Sequence, residues 1–536
     1  MIILTSIFVI YFFLLNILGG YLYDFIFDTL NLRKKERIFE VNKTIFFPLI
    51  TLFVFSSFAL IMNFFLGLDY FYYFIIPTAL FFFVKYRSHF VEDLKYHFRN
   101  NYIYSIIVPS ILSVFFIDLN FNYDAALYNL KYQQYLLDSK IIINGTIFDG
   151  SFGLTQIGDY LSAVHTTNEN YIFSYFPNLA IYTIFFNIIY AFLFSKSNYF
   201  FQVATSVLIF GALDNFGSGG GRNGYIYFEN LGKTDVVFSI LFFLSGIFLY
   251  NCFSKDSIHD CELFILLIFI TFSIQYRFMG YIFLTLFIFF VVKKKVVVNY
   301  KILKYFVTLI ILWIIRNVLL TSCFIFPVDS LCIANKSLAR EFRQIIRNYN
   351  RAYEFGDDLF LWVDEWISFS FNKSININFL VSVAIILIIR YVFFIKINRK
   401  SKLMPLFFIF YTSILVLGSP DFRFAIGIIL LFISSFYINY ELKKRFIFFK
   451  NKSFKNILFC FCLIFTLRIT SFTNYFSEIL DVKILPATSV EMIARDDGFV
   501  RPAEGDQCWF DMNCTPANNS IYKKDIFGYT VFEIQD

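Results

Sequence analysis

The sequence predicts an all-α polytopic membrane protein with about fourteen transmembrane helices, and three observations carry that prediction. Of 536 residues, 58 % are hydrophobic and 16 % charged, with a mean hydropathy of +0.65, which is more apolar surface than water-soluble domains can hide. The apolar runs extend for about 15–25 residues without the alternation of barrel strands, and a lipid interior offers backbone amides no partner, so the spans are helices. Short turns rich in lysine and arginine recur on one side, as retention of positive charge in the cytoplasm requires. The 80 phenylalanines read as lipid-facing and packing mass.

Taken in order, the runs lie near 3–26, 44–66, 69–85, 101–118, 171–195, 199–213, 235–253, 262–275, 278–292, 302–322, 377–396, 404–418, 424–440 and 454–472. They divide the chain into N-terminal membrane helices (1–118), a first long outer loop (119–170) and central helices (171–322) interrupted by an outer loop at 214–234. An Arg-rich outer loop (323–376), C-terminal helices (377–472) and an outer tail (473–536) follow. The first run lacks a basic leader and a small-residue cleavage site, so it reads as a retained span. With the N-terminus outside, the basic inner turns are 27–43, 86–100, 293–304, 397–403 and 441–455, and every long polar segment falls on the outer side. Those turns hold much of the net charge of +7, so no nucleic-acid partner is implied.

Cys323, Cys332, Cys508 and Cys514 fall in outer segments, on the side where disulfides persist. Cys460 and Cys462 lie inside a span, and Cys252 and Cys261 at the inner surface. The four histidines (His89, His97, His165, His259) are scattered and no Cys/His cluster has zinc spacing, which argues against a protein-built transition-metal site. No cofactor is fixed by the sequence; a divalent cation is left open.

Chemistry is sought in the outer segments. Asp118 and Asp124 flank a membrane exit, and Tyr123, Leu127, Leu130, Gln134 and Leu137 recur at helical steps, predicting an amphipathic helix on the membrane surface. Two readings of Asp124 stay open: a cap on that helix, or a partly desolvated carboxylate suited to take a proton from an acceptor hydroxyl. The Gly-punctuated stretch 144–163 is a turn region leading into a short helix.

In "SLAREFRQIIRNYNRAYEFGDDLFLWVDEW" (337–366), Arg340, Arg343, Arg347 and Arg351 step by three, four and four, which lines them on one helical face and demands anions. They serve either the phosphate of a lipid carrier, or anionic headgroups and the acids Asp357, Asp358, Asp364 and Glu365. Arg316, near the end of a span, requires a carboxylate or phosphate close by. "GSGGGRNG" (217–224) reads as a flexible outer loop before an anion nest. Asp235, Arg277 and "SPDFRF" (419–424) add charges at outer membrane edges, with Asp421 and Arg423 as a candidate pair.

The boxes "YDAALYN" (123–129), "WIIRNVLLTSCFIFP" (313–327), "PDFRF" (420–424) and "GDQCWFDMNCTP" (505–516) resemble an uncharacterised family of large bacterial polytopic membrane proteins. That family carries D-x-x-L-Y-H, R-N, P-D-x-R-F and G-D-Q-C-W boxes in this order, and Asn129 stands here in place of its His. More remotely the family resembles the GT-C-type glycosyltransferases that use polyprenyl-phosphate sugars. The resemblance implies a GT-C-like fold in a bacterial inner membrane, and the lysine and arginine pattern puts both termini outside. It also implies a sugar transfer to a glycan or lipid acceptor in cell-envelope assembly. Asp124 or Asp118 would be the base, with Arg316, Arg340, Arg343, Arg347, Arg351 and Arg423 on the carrier phosphate.

The tail 473–536 has too little apolar mass to stand alone, and a Cys508–Cys514 disulfide supplies part of the deficit. Two other classes fit a many-span protein with Arg-bearing outer loops: an envelope polysaccharide polymerase of the O-antigen or capsule type, and a lipid-linked glycan flippase or transporter. Transport calls for charges near mid-membrane, whereas the charges placed here gather at the outer edge.

Overall fold

The computed structural model describes the chain except residues 87–98, 100, 167–169, 215–224, 227, 254–257, 295–297, 351–352, 354–357, 372, 397–420, 436–439, 443–450, 468, 479, 481–483, 487, 489, 518–519 and 535–536. Its architecture is helical. The longer helices are α1 (Ile2–Leu30), α2 (Phe47–Asn63), α3 (Phe71–Lys85), α4 (Val108–Leu112), α5 (Leu130–Asp138), α6 (Ile157–His165), α7 (Phe176–Phe194) and α8 (Asn198–Asp214). After them come α9 (Asp235–Phe253), α10 (Asp260–Tyr276), α11 (Tyr281–Lys294), α12 (Tyr300–Thr321), α13 (Lys336–Asn350), α14 (Leu359–Phe371), α15 (Ser374–Phe393), α16 (Ile426–Ser435), α17 (Lys452–Thr466) and α18 (Ile469–Ser477).

Among the described residues, six helices are long and apolar enough to cross a membrane: Ile2–Leu30, Lys43–Asn63, Leu68–Lys85, Tyr171–Phe194, Asp235–Cys252 and Tyr300–Thr321. The chain is a membrane protein. A bent pair, Leu359–Ser370 with Ser374–Ile389, makes a seventh span if it crosses as one. Among the described residues the count of fourteen is not reached: Ile103–Asp118, Phe278–Lys293 and Phe422–Ser434 are shorter apolar helices, and 404–418 lies outside the described residues.

Apolar sides decide what packs. α1 lies along α2, α9 along α10 and α16, and α8 between α7 and α17. α10 is buried over nearly its whole circumference, so a helix apolar all round sits inside the bundle. By contrast α3 and α12 leave much of their apolar surface exposed, the faces a bilayer would cover.

The two ends differ. At one end Lys34 pairs with Asp24 (2.8 Å) and Asp28 (2.7 Å), the Arg33 amide donates to Asp260, and Lys301 donates to the Leu30 carbonyl. At the other end the polar segments meet. Strands β1 (Asn120–Phe121) and β2 (Asn230–Leu231) pair in parallel, joining loop 119–170 to the residues before α9. The Asn144 amide donates to the Leu319 carbonyl (2.8 Å), and the Trp509 amide to that of Ala126 (2.8 Å). In the tail, two hairpins (Met492–Ala494 with Val500–Pro502, and Ile521–Ile526 with Tyr529–Ile534) dock on loop 119–170. Phe532 stacks on Phe148 at 4.5 Å, and Phe510 on Tyr171 at 4.2 Å. Disulfides join Cys323 to Cys332 and Cys508 to Cys514.

The amphipathic surface helix expected around 118–140 is corrected. Leu130, Lys131, Tyr132, Gln133, Tyr135 and Leu136 are all buried, because the tail covers one side of α5 and α6 the other. Lys131 and Tyr135 face protein partners instead of water.

Candidate functional site

Asp124 opens a single π-helical turn, residues 125–129, a geometry frequent at functional sites. Its side chain caps no helix amide; Asn122 Nδ2 approaches its Oδ2 at 3.5 Å. The turn is tied down by Asn129, whose Nδ2 donates to the carbonyls of Asp124 (3.2 Å) and Gly232 (2.8 Å). Asn129 thus holds loop 119–170 against the segment that delivers Lys233 and Asp235. Gly232 has φ +84° and lies so close to Ala125 that an added Cβ would stand 2.5 Å from the Ala125 methyl.

Three other segments bring charge to this place. Asp124 stands within electrostatic reach of Asp235, Arg423, Lys233 and Arg277. Asp235 heads α9 and accepts from Arg277, which occupies the tight turn between α10 and α11. Asp421 accepts from the Arg423 amide at 2.9 Å and faces its guanidinium at 3.6 Å, so the P-D-x-R-F box folds as a capped turn. The Phe424 ring gathers both arginines, 4.8 Å from Arg277 and 4.5 Å from Arg423. Among the described residues, the buried Nε atoms of Arg277 and Arg423 have no hydrogen-bond acceptor.

Burial lifts the Asp124 carboxyl above the usual carboxylate range and Asp235 lifts it further, against the pull of Arg423, Lys233 and Arg277. Burial likewise lowers the Lys233 ammonium below its ordinary value. Tyr123, at the mouth, donates to Asp506 of the tail, and that hydrogen bond pushes its phenol up to about 12. Tyr349, at the end of α13, lies within electrostatic reach of Tyr123 and Arg423.

The other sequence candidates are distributed differently. Asp118 accepts from Ser471, fastening the end of the 101–118 run to α18. Arg316, expected on the carrier phosphate, is 1 % exposed, and its donors go to Tyr132, Thr155, Tyr160 and Asn317. Trp313 lies 4.7 Å from its guanidinium carbon, and the carboxylate its charge required is Asp159, within electrostatic reach. The arginine row also finds protein acceptors. Arg340 and Arg343 clamp Asp329 at 3.1 and 2.7 Å, and Arg347 donates to the Tyr353 carbonyl at 2.6 Å. Asp329 is the counter-ion of Arg340 and Arg343, and Asp358 caps α14. Arg351, Asp357 and the loop 217–224 lie outside the described residues.

One pair escaped sequence reasoning. Lys131 and Asp149 form an ion pair at 2.7 Å with side chains 0 % and 2 % exposed, and Lys131 also donates to the Cys514 carbonyl at 3.0 Å. Only the odd lysine in an otherwise buried helical pattern hinted at it. Among the described residues no group of three or more His, Cys, Asp or Glu side chains is placed to hold a metal ion.

The fold and this cluster define a polytopic α-helical membrane protein with a charged, partly desolvated site at its polar end. Residues 1–430 match a family model described as a domain of unknown function (DUF8201), and the chain belongs to that family. No curated protein and no solved structure matches it.

Proposed function

We propose that the chain is a membrane-embedded glycosyltransferase moving a sugar from a polyprenyl-phosphate carrier to an acceptor hydroxyl at the outer face of a bacterial inner membrane, in cell-envelope glycan assembly. The reading includes both termini on the outer side and about fourteen crossings, the shorter apolar helices among them. The observation that carries it is Asp124, a carboxylate made more basic by burial, within electrostatic reach of two arginines gathered on Phe424, of which Arg277 keeps a buried Nε donor without an acceptor among the described residues.

In the step proposed, the acceptor oxygen bonds to the anomeric carbon, the bond from that carbon to the phosphate oxygen breaks, and the hydroxyl proton passes to Asp124. The leaving phosphate gains one negative charge as it becomes a monoester. Arg423 and Arg277, with Lys233 beside them, stabilise that charge where it develops. This assignment moves the phosphate role from Arg316 and the α13 row to the α10–α11 turn and the P-D-x-R-F box.

Purified protein in lipid nanodiscs, given labelled polyprenyl-phosphate sugar, tests it. Asp124→Asn should lower turnover by about 10²- to 10⁴-fold while donor binding persists. Arg423→Gln should weaken donor binding. A base must be ionised, and Asp124 has a raised pKa, so the rate should fall as pH drops through a value above the ordinary carboxylate range. Undiminished transfer by Asp124→Asn removes it as the base.

A further inference from the structure

Helix α14 has three distinct flanks. Trp362, Trp366, Phe369 and Ser370 share the flank that meets protein: the two indoles lie 6.2 Å apart, and Trp366 packs on Phe422 at 5.7 Å, next to Arg423. A second flank holds Phe360 and Ile367, seven residues apart on one line, 84 % and 41 % exposed. The third holds Leu361, Asp364, Glu365 and Ser368, all exposed, three of them polar.

The helix is also set across its neighbour. α15 leaves it at 98°, and the corner is held by Asn376, whose Nδ2 donates to the Ser370 carbonyl at 2.7 Å. At 13 residues α14 is about 20 Å long, short of the roughly 30 Å hydrocarbon core, whereas α15 is a 20-residue apolar helix. If α15 runs through the bilayer, α14 lies nearly in its plane. One flank then faces acyl chains, one faces water and one faces protein, with tryptophans at the boundary they favour.

We propose that α14 is an interfacial helix seated in the headgroup–acyl boundary of the bilayer, with Phe360 and Ile367 in lipid and Asp364, Glu365 and Ser368 in water. Because Trp366 rests on Phe422, this seat fixes the Arg423 site at headgroup depth. A ligand carried on a lipid then reaches it sideways from the membrane; that last step rests on the function proposed above.

Spin labels test the seat without reference to activity. In full-length protein with the exposed Cys460 replaced by alanine, Phe360→Cys, Ile367→Cys, Asp364→Cys and Ser368→Cys would be labelled one at a time in phosphatidylcholine–phosphatidylglycerol nanodiscs. Labels at 360 and 367 should collide more with dissolved oxygen than with a water-soluble nickel chelate, and labels at 364 and 368 the reverse. Nickel access at all four positions, or shielding of 360 and 367 from both reagents, overturns the proposal. Where transfer is measurable, its rate should follow the mole fraction of labelled donor within the disc. Dependence on bulk concentration alone overturns lateral entry but leaves the seat standing.

Discussion

At the scale of single residues, the structure sorts charges by what surrounds them. Arg316 and Lys131 are both fully enclosed, and each is satisfied by protein: aromatic hydroxyls and Asp159 for the first, Asp149 and a carbonyl for the second. A buried ion pair loses hydration from both partners, so removing one leaves an uncompensated charge and costs about 3–5 kcal/mol. Lys131→Met and Asp149→Leu should therefore each lower the detergent-state melting temperature sharply, and the double variant should recover much of the loss. Additive losses would show that the two side chains act separately. Asp124 differs because its partners are shared among several segments and it keeps a path to solvent.

At the scale of elements, the site depends on how loop 119–170 is locked to the start of α9. The β1–β2 pairing sets the register, Asn129 bridges the π turn to Gly232, and Gly232 permits the contact. Gly232→Ala introduces both a methyl clash and a left-handed φ, a backbone state costing a non-glycine residue about 1 kcal/mol or more before the clash is counted. The variant should move Asp124 away from Asp235 and Arg423. A crosslinking yield between cysteines placed at 122 and 231 should fall several-fold against the parent; an unchanged yield would mean that the contact tolerates a side chain. Such locks were only partly legible. "YDAALYN" and "PDFRF" stood out as boxes, but the partner of Asn129, a backbone carbonyl of Gly232, leaves no mark in composition or periodicity.

For the whole molecule, the tail behaves as a brace on loop 119–170. It supplies the Cys514 carbonyl to Lys131, the Met512 carbonyl to Tyr135, and Phe532 to the stack on Phe148. Deleting residues 490–534 should make loop 119–170 sensitive to limited proteolysis while the helical bundle survives. Resistance equal to that of the full chain would show the brace to be dispensable.

What the sequence determined by itself was the class of protein and the position of its polar segments. Both follow from local quantities: the length of an apolar run against a bilayer, and a chain that must satisfy its own amides in lipid. Only the tertiary structure decided which charge meets which. Asp124 comes within electrostatic reach of Arg423, Arg340 and Arg343 close on Asp329, and Arg316 is sealed in aromatic rings. Charge pairing depends on distance and desolvation in space, and a linear pattern carries neither until the helices have packed.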